Sequence, residues 1–428
     1  MAFAHMHKRL IAVLAVLLLG AGSLQAGEPL TLEACRRAAR EAGNIELLQQ
    51  NAEDARTPGK TLAQSPYMMQ AFGYGQLSYQ SDTPNPANLT DFPFALHPIS
   101  QFQYHAGFVA VLPLYSGGRR KLSAQLDEVD RDLDVASIER QGMELDQAVD
   151  NLYLSVLVGR TAGEILHSQL QAVEIKLSDV QEAFRAGKVY RNAVLEVEAK
   201  KTALEARIKG NEAEVGGALQ SLSLLTGLSI GAETDLVMPE LSNLVQPEQA
   251  DPGLAAIELQ RKKIDLQKEF SRASALPSLK AIGTVGYGQW ALNMFENTPN
   301  FYGIVGLTLQ IPISDWRDVS NRNKMLDNAA EALDIRLDEA QKHRDAALQQ
   351  YDSQIAKYEA LLEGSRETVA KYETLCEELD KLTGQGSVPA SDYLTALEQL
   401  SSARLDQEMN TILILQLRLR RDRFVSSL

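Results

Sequence analysis

Two stretches of this sequence are the same pattern written twice. Phe102, Tyr104, Ala106, Phe108, Ala110 and Leu112, followed by Pro113, recur as Phe301, Gly303, Val305, Leu307, Leu309 and Ile311, followed by Pro312. The two prolines stand 199 residues apart, and the same spacing separates Gly107 from Gly306 and Gly187 from Gly386. A spacing kept without a gap from 102 to 187 and from 301 to 386 marks duplication of a long element that tolerates no insertion. Each copy reads as an alternating strand run ending at a proline, a long helical stretch, a glycine turn and a second long helix. That order suits a membrane strand hairpin carrying a long helical hairpin. At 428 residues the chain would otherwise suggest two or three compact domains; the repeat favours one elongated body.

The N-terminus has the form of a secretory signal. His7, Lys8 and Arg9 supply a basic region, Leu10 to Leu19 an apolar core, and Leu24-Gln25-Ala26 a cleavage site, so residues 1–26 would be removed. A spanning helix needs about 20 apolar residues, which this core does not reach. No later stretch is long and apolar enough either, so any membrane crossing must use strands. The net charge of −14 argues against nucleic acid as a partner. Cys35 follows Leu32-Glu33-Ala34, where a glutamate stands at a position that lipidation needs small.

Thr31 is a candidate helix cap, and helical composition continues to about Arg56 before Pro58-Gly59 and Ser65-Pro66 break it. Ala71 to Gln80 reads as a strand, and its counterpart is Ala281 to Trp290; both carry Gly-Tyr-Gly-Gln. The connections that follow differ in length. Gly75 to Gly107 is 32 residues, whereas Gly288 to Gly306 is 18, as expected where a loop meets solvent. In the second strand of copy two, Phe301 to Ile311 form an apolar face, and Tyr302, Ile304, Gly306, Thr308 and Gln310 a more polar one. About 10 residues match a tilted membrane strand.

The helices are the stronger signal. From Lys121 to Arg185 there is no proline, and Leu166, Leu170, Val173, Leu177, Val180 and Phe184 recur at three- and four-residue steps. In copy two, Ile355, Tyr358, Leu362, Val369, Tyr372, Cys376 and Leu379 keep a heptad register. About 65 helical residues extend roughly 100 Å, longer than a globular core requires. The expected organisation is repeat 1 over 27–228 with a strand hairpin at 70–112, a linker over 229–250, and repeat 2 over 251–428 with a strand hairpin at 281–311.

This order resembles the TolC family of outer-membrane efflux proteins. The resemblance rests on the Leu30-Thr31-Leu32-Glu33-Ala34 opening, the two strand hairpins, Leu112-Pro113-Leu114-Tyr115-Ser116-Gly117-Gly118, Ile311-Pro312-Ile313-Ser314-Asp315-Trp316, and the helical turns near Gly187 and Gly386. It covers nearly all of the mature chain. It implies a mainly α chain with four strands, a homotrimer sharing one twelve-stranded barrel in outer-membrane lipid, and a periplasmic tunnel of coiled-coil helices. Four strands cannot close a barrel alone, since the smallest outer-membrane barrels need eight.

The family resemblance also places candidate residues. Pro113 and Pro312 would mark the strand–helix junctions, either as simple breaks or with a gating role. Tyr115 and Trp316 would stand at the periplasmic interface, and Trp290, Phe301 and Tyr302 at the outer one. Gly187, Lys188 and Val189, with Gly386, Ser387, Val388 and Pro389, would form the tips that dock a periplasmic adaptor (membrane fusion protein), itself linked to an inner-membrane pump. Asn192 and Ser391 are expected to cap the helices that follow. Asp392 matches one position of an acidic entrance ring, but Ala193 and Thr395 depart from that pattern, so a surface or capping role for Asp392 remains equally open.

The implied function is a passive exit duct for an efflux pump or type I secretion system. No phosphate loop, HExxH or Cys-x-x-Cys is present. No enzyme activity, cofactor or metal is expected, the six histidines being scattered. Two other classes are a periplasmic adaptor and a structural coiled-coil envelope protein. An adaptor has one helical hairpin rather than two, and a structural coil lacks an alternating lipid face.

Overall fold

The computed structural model describes residues 29–83, 100–239, 252–289, 298–313, 315–385 and 387–425. The signal segment, residues 240–250 of the proposed linker, Trp290 and Gly386 lie outside the described residues. The chain separates into two compact units. One comprises Met1–Glu46, Gln141–Asp251 and Arg344–Leu428, and the other Leu47–Arg140 and Pro252–His343. Each unit therefore draws on both sequence copies.

Three short helices come first: α1 (Leu32–Ala42), α2 (Ile45–Asp54) and α3 (Arg56–Gln64). Thr31 caps α1 through its hydroxyl, which accepts from the Ala34 amide at 3.2 Å. Pro58-Gly59 does not break the helical region as the sequence suggests. Pro58 falls in the first turn of α3, where amides have no intrahelical partner, so its missing N–H costs nothing there.

Next come β1 (Gln70–Tyr79), β2 (Phe102–Tyr115), α4 (Arg119–Arg185) and α5 (Arg191–Thr226), then α6 (Pro252–Ser274), β3 (Ser278–Gly288), β4 (Asn300–Gln310), α7 (Asp315–Gly384) and α8 (Ala390–Val425). The duplication is written into the helix ends. Arg185 and Gly384 close the first long helices, and α5 and α8 begin at 191 and 390 and end at 226 and 425, each pair 199 residues apart. No helix of the described residues is long and apolar enough to cross a membrane.

In the first unit, a core gathers Leu30, Leu32, Cys35 and Ala39 against Val149, Tyr153 and Val156 of α4, Leu219 and Leu222 of α5, and Ile412 and Leu415 of α8. The N-terminal segment is tied in by polar contacts. The Tyr153 hydroxyl reaches the carbonyls of Leu30 and Val237, each at 2.7 Å. Arg36 grips Asp150 through two bonds of 2.7 and 2.8 Å, and Arg40 grips Asp146 at 2.8 Å. Both pairs are spaced four residues apart on each helix, so one face of α1 meets one face of α4. A second core, nearer the helical turns, joins Leu166, Val173 and Val180 of α4, Val197, Leu204 and Ile208 of α5, Cys376 of α7, and Leu394, Leu397 and Leu400 of α8. Cys35 and Cys376 are free thiols in these separate clusters.

The second unit holds a four-stranded antiparallel sheet in the order β1-β2-β3-β4. Its helical parts are cross-linked by surface ion pairs, including Arg56 to Asp132 at 2.8 Å, Lys263 to Asp130 at 2.6 Å and Lys268 to Asp327 at 2.7 Å.

Candidate functional site

Strand register decides which residues share a face. One row runs Gly73–Phe108–Val285–Gly303 and the row two residues away runs Ala71–Ala110–Gly283–Val305. Continuing that alternation gathers Leu77, Tyr79, Phe102, Tyr104, Phe108, Leu112, Val285, Tyr287, Phe301, Val305, Leu307 and Leu309 on one face. Among the described residues most of these side chains are uncovered: Phe301 is 86% and Val305 90% exposed. The opposite face carries Gln70, Gln76, Ser78, His105, Lys280, Thr284, Asn300, Thr308 and Gln310, with Phe72, Val109, Val111, Ile282 and Ile304 among them.

The polar face is concave. Tyr74 on β1 and Tyr302 on β4 share the row Tyr74–Gly107–Gly286–Tyr302, and their hydroxyls are hydrogen-bonded to each other. Side chains stand roughly perpendicular to a sheet, so on a flat sheet these two would be parallel and about 14 Å apart, three strand spacings. They meet because the sheet curls toward this face and the phenols lean over glycines. A Cβ on Gly286 would lie 2.7 Å from the Tyr302 hydroxyl oxygen, and one on Gly107 would lie 2.7 Å from the Gly286 Cα. The sheet is thus a curved wall, apolar outside and mixed polar inside, and among the described residues β1 and β4 are its edge strands.

Several expected positions come out differently. Tyr302 lies on the more polar face of its strand, as the alternation predicts, and that concave face turns it away from the apolar side where an interface belt with Phe301 would need it. Phe301 does lie on the apolar face, where its ring meets Tyr287 with centroids 4.8 Å apart. Pro113 does not end its strand: β2 continues to Tyr115 through a register irregularity between Pro113 and Tyr115. A proline is accommodated there because a bulge needs one ladder amide fewer. The irregularity pairs Tyr115 with Leu279, turning Tyr115 onto the apolar face, and helix α4 begins only after Gly117 and Gly118, both at positive φ. Pro312, by contrast, sits between the end of β4 and the start of α7. Its carbonyl accepts from the indole of Trp316, which is 70% exposed, at 3.1 Å.

The helical turns also follow one plan. Gly187 has φ 69°, its amide bonds to the Phe184 carbonyl, and the Lys188 amide reaches the Ala183 carbonyl at 2.9 Å. This closes α4 in the manner that a left-handed glycine permits. The second turn repeats the long bond, Ser387 to the Leu382 carbonyl at 3.0 Å, again 199 residues on. Lys188, Ser387 and Pro389 are exposed, Val388 is half-buried, and Val189 packs against the second core. Asp392 is exposed and accepts from the Ser391 hydroxyl at 3.3 Å. Neither expected cap forms: Asn192 lies inside α5, whose cap is Tyr190, and Ser391 lies inside α8.

Two features had no simple signal in the sequence. One is the Tyr74–Tyr302 bond, which joins residues 228 apart. The other is Lys176 on α4, buried in the second core region, with Nζ 3.0 Å from Asp380 and 4.6 Å from the centre of the Tyr393 ring. In sequence it reads as an ordinary charged position in a helix.

No protein-family model matches this sequence, and no curated protein matches it by sequence. Solved structures do match. The outer membrane protein VceC of Vibrio cholerae superposes with a TM-score of 0.74 over 92% of this chain and 95% of its own, at 11% identity. The chain has the TolC fold. The Campylobacter jejuni CmeC outer membrane channel gives 0.70 over 92% and 85% at 12% identity. The Neisseria gonorrhoeae MtrE outer membrane channel, in its open state, gives 0.68 over 92% and 88% at 14% identity. At such identities the agreement lies in the path of the backbone, and the TolC fold is preserved here with almost wholly different side chains.

Proposed function

We propose that this protein is a passive outer-membrane channel, a homotrimer whose three four-stranded sheets join edge to edge into one twelve-stranded barrel. The observation that carries this reading is the curved sheet with an exposed apolar convex face, a more polar concave face and two edge strands. A long apolar edge strand left open in water invites association, and closure into a barrel removes every edge. Two chains would give eight strands and an interior filled by side chains, whereas three give twelve and room for water. The names of the matched structures, outer membrane channels in two of the three, agree with this reading.

In this reading the long helices extend into the periplasm, and their turns at 187 and 386 receive an adaptor that connects to an inner-membrane pump. Lys188, Val189, Ser387, Val388 and Pro389 would supply the contact, and Asp392 would face the entrance. The duct serves an efflux pump or a type I secretion system, and the chain contributes no bond chemistry of its own. The test is the mass of the purified mature protein in mild detergent. A trimer that needs detergent supports the channel; a stable water-soluble monomer removes it.

A further inference from the structure

The concave face of the sheet is not an open wall. At the row Tyr74–Gly107–Gly286–Tyr302, the two outer strands send phenols across the two inner ones, and the hydroxyls bond above a floor of glycine. Glycine at 107 is required because a Cβ there would press on the backbone of β3, and glycine at 286 leaves the room that the Tyr302 ring occupies. In the next row toward the connections between paired strands, His105 similarly lies over Gly288, where a Cβ would come within 2.9 Å of the imidazole Nδ1. On the other side, Phe72, Val109, Thr284 and Ile304 form a largely apolar row, with Phe72 52% and Ile304 46% exposed. The tyrosine and histidine rows thus put their rings between the middle of the strands and the loop-bearing end. Toward the other end stand Gln70, Lys280, Thr308 and Gln310, with Val111 and Ile282 between them.

We propose that Tyr74 and Tyr302 form a phenolic bar across the concave face, and that three such bars set the size limit of the bore near its loop-bearing end. The inference rests on the trimeric channel reading, which makes this face the lumen. Each bar spans all four strands of its protomer, so the three together run round the full circumference. The hydroxyl bond holds the rings over the glycine floor. Breaking it frees two side chains that can stand into the lumen or swing aside, while removing both rings leaves a smooth, wider wall. Lumen-lining groups of this kind govern passage by bore and by the polarity of what lines it.

The test uses full-length mature trimer reconstituted into planar bilayers for single-channel conductance and into liposomes for swelling in sugars of increasing size. The variants are Y74A/Y302A, which removes the rings, and Y74F/Y302F, which keeps the rings and deletes the bond. The expected result is a conducting wild type, a higher conductance for the alanine pair and its permeation by sugars that the wild type excludes. An assembled alanine pair with unchanged conductance and size limit overturns the bar and leaves the channel standing. A wild-type trimer that does not conduct overturns the channel reading itself. If the alanine pair fails to assemble, the phenylalanine pair decides: altered conductance or current noise supports the bar, and wild-type behaviour overturns it.

Discussion

Replacing Val305 by arginine tests the assignment of the two faces most sharply. Val305 is the sixth of the eleven residues of β4, it is 90% exposed, and its cross-strand neighbour is Gly283, so no side chain opposite can shelter a charge. A lipid-facing arginine at the membrane midplane costs about 2–4 kcal/mol. Per site, that shifts the insertion equilibrium by about 30- to 700-fold, and three copies in one barrel compound it. The control is the adjacent residue. Gly306 lies on the concave face opposite Ile282, has no left-handed backbone, and a Cβ built on it meets nothing within 4 Å. Gly306→Arg can therefore extend into water at little cost. Both variants would be refolded into lipid vesicles, with trimer yield read from heat-sensitive gel mobility and stability from urea titration. Val305→Arg should lose most of its trimer, whereas Gly306→Arg should stay near wild type. Equal yields would refute the assignment of the two faces, and with it the membrane barrel.

Three further outcomes follow from the helices. Asp150→Ala leaves the Arg36 guanidinium buried without its partner and should destabilise the helical unit by about 3–5 kcal/mol in denaturant titration, while joint replacement of Arg36 and Asp150 by apolar residues recovers much of the loss. Burial pushes the Cys35 thiol up from its ordinary 9.0 to about 12, so folding favours the neutral form; the stabilisation is intact below pH 9 and declines as pH rises toward 12, and alkylation followed by mass spectrometry should find Cys35 unreactive at pH 8 until the protein is denatured. Gly187→Val forces a β-branched residue into a left-handed backbone at φ 69°, a strain of about 1–2 kcal/mol, and should impair export while leaving trimer yield largely intact; normal export at normal protein levels would remove this turn from the docking surface.

What the sequence made legible was everything that repeats. The 199-residue spacing foretold matched long helices, and the heptad of Val369, Tyr372, Cys376 and Leu379 is the stripe that packs in the second core. The cap at Thr31 was legible because capping is local. The misreadings share a different cause. Pro58 and Pro113 read as breaks in the sequence, yet each occupies a place where a missing amide is harmless: a first helical turn and an irregular stretch of ladder. Asn192 reads as a cap on residue type, but the helix starts one residue before it. Alternation sets Tyr302 on the polar face correctly, but a role at the outer interface does not follow from that face. The Tyr74–Tyr302 bond could not be read at all, because it depends on the register of three successive strand pairings. Its trace in the sequence is the placing of Gly107 and Gly286, which becomes informative only once that register is known.

The constancy of the 199-residue spacing has a mechanical reason that the packing supplies. A helix turns about 100° per residue, so one residue inserted in α4 would rotate every later side chain by that angle. Val173 and Val180 would leave the second core, and Lys176 would leave Asp380 and the Tyr393 ring. In a strand, a one-residue slip has the same severity, since it exchanges the apolar face for the polar one. The segment from Phe102 to Gly187 contains both kinds of element in series, and so does the segment from Phe301 to Gly386. Within the strand or the helix, neither offers a place where length could change without disturbing a face. The connections between paired strands carry no such constraint, and there the copies differ, 32 residues against 18 from glycine to glycine. The register slip between Pro113 and Tyr115 lies at the end of the ladder; there the change of face brings Tyr115 round to the apolar side, beyond which the chain turns through Gly117 and Gly118 into α4.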